Sequence, residues 1–315
     1  MNNVFICTKP VHLVSIIDIA EQTGLDSSCL IVVNSFKDSD EFYQKCKANI
    51  DSLGFTYCHY FDTELEASKF INSKSITTVY TNWDLEIWYK NLSSVDVITY
   101  DDGFFSYLKD FGRGGYISHA LRFIKGILQP QDRCLLSHGN LTRGGYFFYP
   151  KYHRNVFPYY NRNRFKYSGS FIELIDKHSS KLEKVYDISG LCLSKYKDSN
   201  IVLYLTSSNI DKEELKVVSD IDCDYILIKP HPHIKNIGNY FDSFSCIIDN
   251  NVPAEVIFSK LVDSANNVTL VHSNSSIALH YSNLVDGLSF INLCRDKIKK
   301  KKFVKMESFL KSGLY

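Results

Sequence analysis

Apolar and polar positions come in alternating blocks along the first hundred residues. NVFICT (3–8), SCLIVVN (28–34), FTYCHYF (55–61), SITTVY (75–80) and VDVITY (95–100) are short apolar runs of strand length. Between them, VHLVSIIDIAEQTG (11–24), DSDEFYQKCKANIDSLG (38–54) and TELEASKFINSK (63–74) carry apolar residues at helical spacing, the first two ending in glycine. Strands alternating with helices predict a parallel sheet covered on both faces. A second alternation follows. NIVLYL (200–205), CDYILI (223–228), SCIID (245–249), NVTLVH (267–272) and LSFINL (288–293) are expected strands. KEELKVVSDI, PAEVIFSKLVDS and SSIALHYSN are expected helices, with Pro253 suited to a first helical turn.

The middle of the chain has no such period. GRGG (112–115) and RGG (143–145) match no phosphate loop following a strand and are expected to be turns. The aromatic stretch 144–167, with Pro150 and Pro158, is expected to hold or precede the crossing between two domains. The predicted organisation is therefore α/β with two doubly wound domains, 1–165 and 166–295, and a basic tail at 296–315. The lysine run that opens the tail reads either as a solvated face or as an anchor to anionic lipid headgroups.

Composition adds exclusions. Net charge is +1, so the total lends no support to a nucleic-acid partner. Nine cysteines form no CxxC pair and no metal-ligand spacing; Cys7, Cys29, Cys58 and Cys134 sit in strand-like runs and read as reduced core thiols of a cytosolic protein. No run reaches the ~18 apolar residues of a spanning helix. The opening residues lack a basic n-region and are broken by Lys9 and Pro10, which argues against a signal peptide. The reading is a cytoplasmic protein, at most peripheral to a membrane.

Ligands of open α/β sheets collect at the carboxyl ends of strands. Three polar sets stand there. VDVITY ends in Asp101-Asp102-Gly103, CDYILI runs into Lys229-Pro230-His231-Pro232-His233, and NVTLVH runs into Ser273-Asn274-Ser275-Ser276 before a helix. Each has a plain explanation: a cap or turn for the acids, a rigid loop for the histidine, an N-cap for the serines. Together they describe group transfer. Two serines at a helix start offer a phosphate site, the histidine can donate a proton or charge to that phosphate, and a carboxylate can take the proton of an incoming hydroxyl. Asp101 and Asp102 repel each other, which pushes their pKa values apart and suits one as base and the other as its orienter. Asp211, after TSSN (206–209), is a weaker candidate.

At these residues the sequence resembles the bacterial sialyltransferases, which share an acidic-acidic-glycine motif, a His-Pro motif and a Ser-Ser or Ser-Thr motif in this order. Here they read Asp101-Asp102-Gly103, His231-Pro232 and Ser275-Ser276. KPHP (229–232) looks like the Lys-x-His-Pro form, and VPAEVIF (252–258) like the helix start that supplies an acid to the donor ribose. In length and arrangement the chain looks most like glycosyltransferase family 52, the lipooligosaccharide and O-antigen sialyltransferases, over roughly residues 1 to 295.

The resemblance implies a GT-B architecture, two Rossmann-like domains facing across a cleft, and CMP-sialic acid as donor for bacterial surface polysaccharide. It implies Asp101 as general base, with Asp102 beside it as the alternative, and His231 as the acid that assists departure of CMP. It implies Ser275 and Ser276 as phosphate ligands, Glu255 as the ribose-binding acid, and Lys229 and Pro232 as part of the donor site. It implies inversion to an α-sialoside through an oxocarbenium-like transition state. No metal or other cofactor is expected. The partners implied are an acceptor glycan, galactoside or lipid-linked, and a second copy of the chain, since related enzymes can be dimeric. Alternatives within the architecture are another nucleotide sugar and polysialic acid. A metal-dependent GT-A enzyme would need a DxD motif, and Asp38-Ser39-Asp40 and Asp222-Cys223-Asp224 are the two matches, neither at a strand's carboxyl end. A non-catalytic nucleotide-binding protein is the alternative from another class.

Overall fold

The structure is a computed structural model and describes residues 2–24, 27–82, 95–108, 142–158, 160, 162–207, 211–232, 234, 241, 244, 246–248, 251–281 and 288–313. The GRGG run, Cys134 and His233 lie outside them, as do Ser208 and Asn209 of the TSSN run. The chain divides into two compact units, the first holding Met1–Ser35 and Ser39–Leu174 and the second Ile175–Leu314 with Phe36–Asp38. Each is built on its own all-parallel sheet, as the alternation of strands and helices requires.

The first unit runs β1 (Asn3–Cys7), α1 (His12–Thr23), β2 (Ser28–Val33), α2 (Ser39–Ala48), α3 (Ile50–Leu53), β3 (Tyr57–Phe61), α4 (Glu64–Asn72), β4 (Thr78–Thr81) and β5 (Asp96–Tyr100). A 3-10 turn (Gly103–Tyr107), β6 (Thr142–Phe147), α5 (Pro150–Val156), β7 (Asn163–Lys166) and α6 (Phe171–Lys177), which crosses the boundary, follow. The strand order is β3-β2-β1-β4-β5-β6-β7. Every residue of β1 and β2 is buried, as expected of central parallel strands, while the edge strands β3 and β7 are partly exposed. Helix α1 is buried throughout His12–Ala20 and stops at Gly24, whose φ of 57° is the left-handed cap that glycine allows. Buried Asp18 fastens this helix beyond β7: its carboxylate accepts from Gln22 Nε2 (2.6 Å), from the Ser168 N–H (3.0 Å) and from the Ser168 hydroxyl.

The second unit contains α7 (Ser179–Leu182), two 3-10 turns, β8 (Asn200–Leu205), α8 (Lys212–Ser219), β9 (Tyr225–Lys229), β10 (Cys246–Ile247), α9 (Ala254–Ser264), β11 (Asn267–His272), α10 (Ser276–Tyr281), β12 (Leu288–Asn292) and α11 (Lys297–Lys311). Its strand order is β10-β9-β8-β11-β12. In each sheet the order reverses beside the first strand, between β1 and β4 and between β8 and β11. Those are the topological switch points where an open α/β sheet leaves room for a ligand.

Two local expectations change. RGG (143–145) is not a turn but the interior of β6. Its glycines are needed for close approach: a Cβ on Gly144 would sit 2.7 Å from the Phe165 ring, and one on Gly145 2.6 Å from Thr99 Oγ1 and 2.8 Å from the Phe147 ring. The aromatic stretch 144–167 is regular after all, carrying β6, α5 and β7 on the edge of the first sheet. The basic segment after 296 forms α11, which buries Phe303, Met306 and Leu310. Cys7, Cys29 and Cys58 lie in β1, β2 and β3 as free thiols, and burial pushes Cys29 and Cys58 up to about 12. No helix among the described residues is long and apolar enough to cross a membrane.

Gly145→Ala is expected to cost roughly 1–3 kcal/mol by forcing Thr99 and Phe147 apart. Urea unfolding of the variant checks this, and an unchanged midpoint would show that β6 tolerates a side chain there.

Candidate active site

The switch point of the first sheet carries a polar network. Parallel pairing sets Cys7, Asn82 and Tyr100 level with one another, so Thr8 and Asp101 are the first residues past the sheet edge. Gly103 then adopts φ 69°, a left-handed value that glycine reaches without penalty, and turns the chain into the 3-10 segment. Asp102 does not cap that segment with its side chain. Its carboxylate, only 4% exposed, accepts from Lys9 Nζ at 2.6 and 2.9 Å and lies 3.0 Å from His12 Nε2. The backbone N–H of Asp102 donates to Ser106 Oγ (2.8 Å). Thr8 Oγ1 stands between His12 Nδ1 (3.3 Å) and Asn82 Oδ1 (3.1 Å). The network therefore joins β1, α1, β4 and the end of β5.

The two carboxyls are shifted in opposite directions. Burial alone would raise Asp102, but Lys9 and then His12 outweigh it and hold its pKa well below the ordinary carboxylate value. Burial lowers His12 more than Asp102 raises it, so the ring is neutral, with its Nε2 proton donated to the carboxylate. No cation among the described residues acts on Asp101. Burial pushes it up to about 7, against hydrogen bonds to Oδ2 from the Tyr107 hydroxyl and the Phe148 N–H (3.2 Å) and a smaller lowering by the Ser106 side chain. Tyr107 is in turn fixed by the Tyr149 N–H (3.0 Å), and the backbone N–H of Asp101 donates to the Tyr167 hydroxyl (3.2 Å). Asp101 Oδ1 is buried and has no hydrogen-bond partner among the described residues. A carboxyl that titrates near neutrality, with one oxygen fixed and one unpaired, is suited to exchanging a proton. His12 turns its Nε2 to Asp102, which makes it an orienting part beside that carboxylate.

In the second unit, register puts Lys229, Leu205 and His272 level, so His231, Ser207 and Asn274 lie two residues past the edge of the sheet. The His231 loop is fixed by its N–H donating to Thr206 Oγ1 (2.8 Å), with Thr206 at the end of β8. The set on β11 is two positions away across the sheet, about 10 Å at normal strand spacing. There the N–H of Ser275 donates to Nδ1 of buried His272 (2.9 Å), and burial lowers His272 to about 4, so that it is neutral. Asn274 takes a left-handed φ of 59° and is held by Asn292 Nδ2 (2.8 Å) on its Oδ1. Ser275 Oγ accepts from the Ile277 N–H (3.3 Å), which is the plain N-cap arrangement. Ser275 and Ser276 are partly exposed at the start of α10, and half-buried Glu255 stands in the first turn of α9 after Pro253.

The remaining candidates divide. Lys229 is buried, its ammonium donating to the Ile248 carbonyl (3.2 Å), a tie to the end of β10, while Pro232 is exposed. Asp211 is a helix cap, accepting from the Glu213 N–H (2.9 Å) and pairing with Arg295 (3.0 Å). Of the DxD pairs, Asp38 precedes α2, and Asp224 accepts from the Asn200 N–H (2.7 Å) at the entering ends of β8 and β9, the edge opposite the switch point. Lys9, His12, Tyr107 and Thr206 are the site residues that sequence reasoning missed. The signal available for Lys9 and His12 was their position just past the carboxyl end of β1.

No protein-family model matches the sequence, and no curated protein matches it. Solved structures do. A sialyltransferase from Photobacterium damselae, residues 113–497 corresponding to its GT-B domain, is 14% identical with a TM-score of 0.53, covering 99% of this chain and 97% of that one. UGT73P12 of Glycyrrhiza uralensis, complexed with glycyrrhetinic acid 3-O-monoglucuronide, is 10% identical with a TM-score of 0.54, covering 99% of this chain and 87% of that one. The two parallel α/β units are thus a GT-B-type fold.

A buried carboxyl raised to about 7 makes the folded state less stable as pH rises from the unfolded value near 4 through 7. Asp101→Asn is therefore expected to gain stability relative to wild type over that interval, by on the order of 4 kcal/mol, and to show no pH-dependent difference below it. Thermal melts of both proteins across this range check the sign; a constant difference would place Asp101 at an ordinary pKa.

Proposed function

We propose that the protein is an inverting, metal-independent sialyltransferase that moves sialic acid from CMP-sialic acid to a hydroxyl of an acceptor glycan. The observation that carries this reading is Asp101, a carboxyl poised near pH 7 with an unpaired oxygen at the switch point of the first sheet. The GT-B-type fold and the ordered resemblance of the three motifs support it.

Asp101 would take the proton of the attacking acceptor hydroxyl, while Asp102, clamped as a carboxylate by Lys9 and His12, keeps the neighbouring network fixed. On the second unit, His231 would protonate or hydrogen-bond the departing CMP phosphate. Ser275 and Ser276 would hold that phosphate by hydroxyl and backbone N–H, and Glu255 would accept from the ribose. Attack on the face opposite to CMP inverts the anomeric centre. Lys229 would support the donor site through the end of β10 rather than as a free cation. One phosphate, singly charged in the diester, can be neutralised by hydrogen bonds and a helix start without a cation. An acceptor built on a lipid carrier fits a role in bacterial surface polysaccharide, at the cytoplasmic face of the membrane.

Release of CMP from CMP-sialic acid should depend on a galactoside acceptor, persist in EDTA, and fall by about 10²-fold or more in Asp101→Ala and His231→Ala. The rate should rise with pH to a plateau, with an apparent pKa near 7. CMP binding without release from any acceptor would favour a non-catalytic nucleotide-binding protein. Loss of release on chelation would favour a metal-dependent donor chemistry.

A further inference from the structure

The last helix of the second unit is set apart from the rest of the molecule by its charge. Lys297–Lys311 holds seven lysines and one glutamate, a net +6 in a chain whose total is +1, so the other residues together carry −5. The helix is formed and held without a partner. Asp296 caps it, accepting from the Ile298 and Lys299 N–H groups (3.0 and 3.1 Å), and Phe303, Met306 and Leu310 bury one side. At 100° per residue, the opposite side is centred on Lys297, Lys301, Val304, Lys305 and Ser308, with Ile298 on its flank.

That outer side combines two features that a merely solvated helix does not need. Lys297, Lys301 and Lys305 make no ion pair or hydrogen bond among the described residues, whereas Lys299 and Lys311 pair with Asp296 (3.7 Å) and Glu307 (2.8 Å). Among these lysines stand Ile298, 69% exposed, and Val304, 46% exposed; Ile298 is the most exposed large hydrophobic side chain among the described residues. Cations flanking protruding aliphatic side chains on a preformed helix match a surface that is anionic outside and apolar just beneath.

We propose that the outer face of α11 docks the protein on anionic phospholipid bilayers, with Lys297, Lys301 and Lys305 at the headgroups and Ile298 and Val304 entering the acyl boundary. A nucleic acid is the poorer match, because it offers Ile298 and Val304 nothing. The proposal stands independently of the transferase reading.

Vesicle sedimentation of the full chain tests it, using phosphatidylcholine alone and phosphatidylcholine with about one third phosphatidylglycerol, at low and high salt. Binding is expected only to the anionic vesicles, with release by salt. K297Q/K301Q/K305Q should weaken partitioning by roughly a hundredfold. I298S/V304S should weaken it by roughly tenfold with the salt dependence kept. Both variants should retain the far-UV circular dichroism of the wild type. Equal binding to neutral vesicles, no binding to anionic ones, or no loss in the lysine variant would overturn the proposal. So would lysine-dependent binding of a short RNA by a protein that ignores the vesicles.

Discussion

Two adjacent carboxyls share one buried corner and have their pKa values driven in opposite directions. The rest of the first unit is arranged around that constraint. Burial penalises both charges, and among the described residues only Asp102 is given a cation, Lys9 just past β1, beside a hydrogen bond from His12 at the start of α1. Asp101 has only neutral donors for compensation, Tyr107 and Phe148 on Oδ2 with Ser106 adding a little, so its charge is only marginally tolerated near neutral pH. The switch in strand order between β1 and β4 makes this possible, because it brings the loop after β1 to the end of β5 across the short β4. His12 must be buried and neutral to do its part, and α1, buried from His12 to Ala20, keeps it so.

The second unit solves a related problem with fewer charges. Thr206 fixes the His231 backbone, and neutral His272 fixes the Ser275 backbone, so the loops flanking the switch between β8 and β11 are each pinned by one hydrogen bond from within. Asn274 pays for its left-handed turn through contacts to Asn292 and Cys294 at the end of β12. Such a loop is over-determined by its neighbours, as backbone at a ligand site usually is.

Much of this was legible in the sequence wherever period and position coincide. Runs such as NVFICT and SCLIVVN have no polar alternation because both faces of their strands are covered, and that alone indicates a parallel sheet. The glycine after the acid pair was legible for the same reason that Gly24 was, since each sits where the chain must take a positive φ. RGG was misread because glycine usually marks a turn, and nothing local reveals that Phe165 and Thr99 press on β6 from its neighbours. Lys9 and Pro10 were read only as interruptions of an apolar run. Their use lies 93 residues from Lys9 to Asp102, a separation no local pattern records.

The acid pair also corrects the reason given for it. Adjacent carboxylates suggest mutual repulsion as the cause of divergent pKa values, yet the charge on Asp102 is the smallest of the influences on Asp101, behind burial and its hydrogen bonds. Lys9 acts instead on Asp102 itself, with its ammonium 2.6 Å from that carboxylate. Asp102 is thus better understood as the anchor that keeps a lysine and a histidine off Asp101. Were Lys9 to reach Asp101 instead, the pair would exchange roles, and the carboxyl with the unpaired oxygen would lose its affinity for a proton at neutral pH. The order of the two acids matters because the strand ends one residue before the first of them. The Asp101 side chain reaches Tyr107, while that of Asp102 reaches Lys9 and His12, as alternation along a strand sends neighbouring side chains to opposite faces. Strand alternation, rather than electrostatic repulsion, assigns each carboxyl its environment.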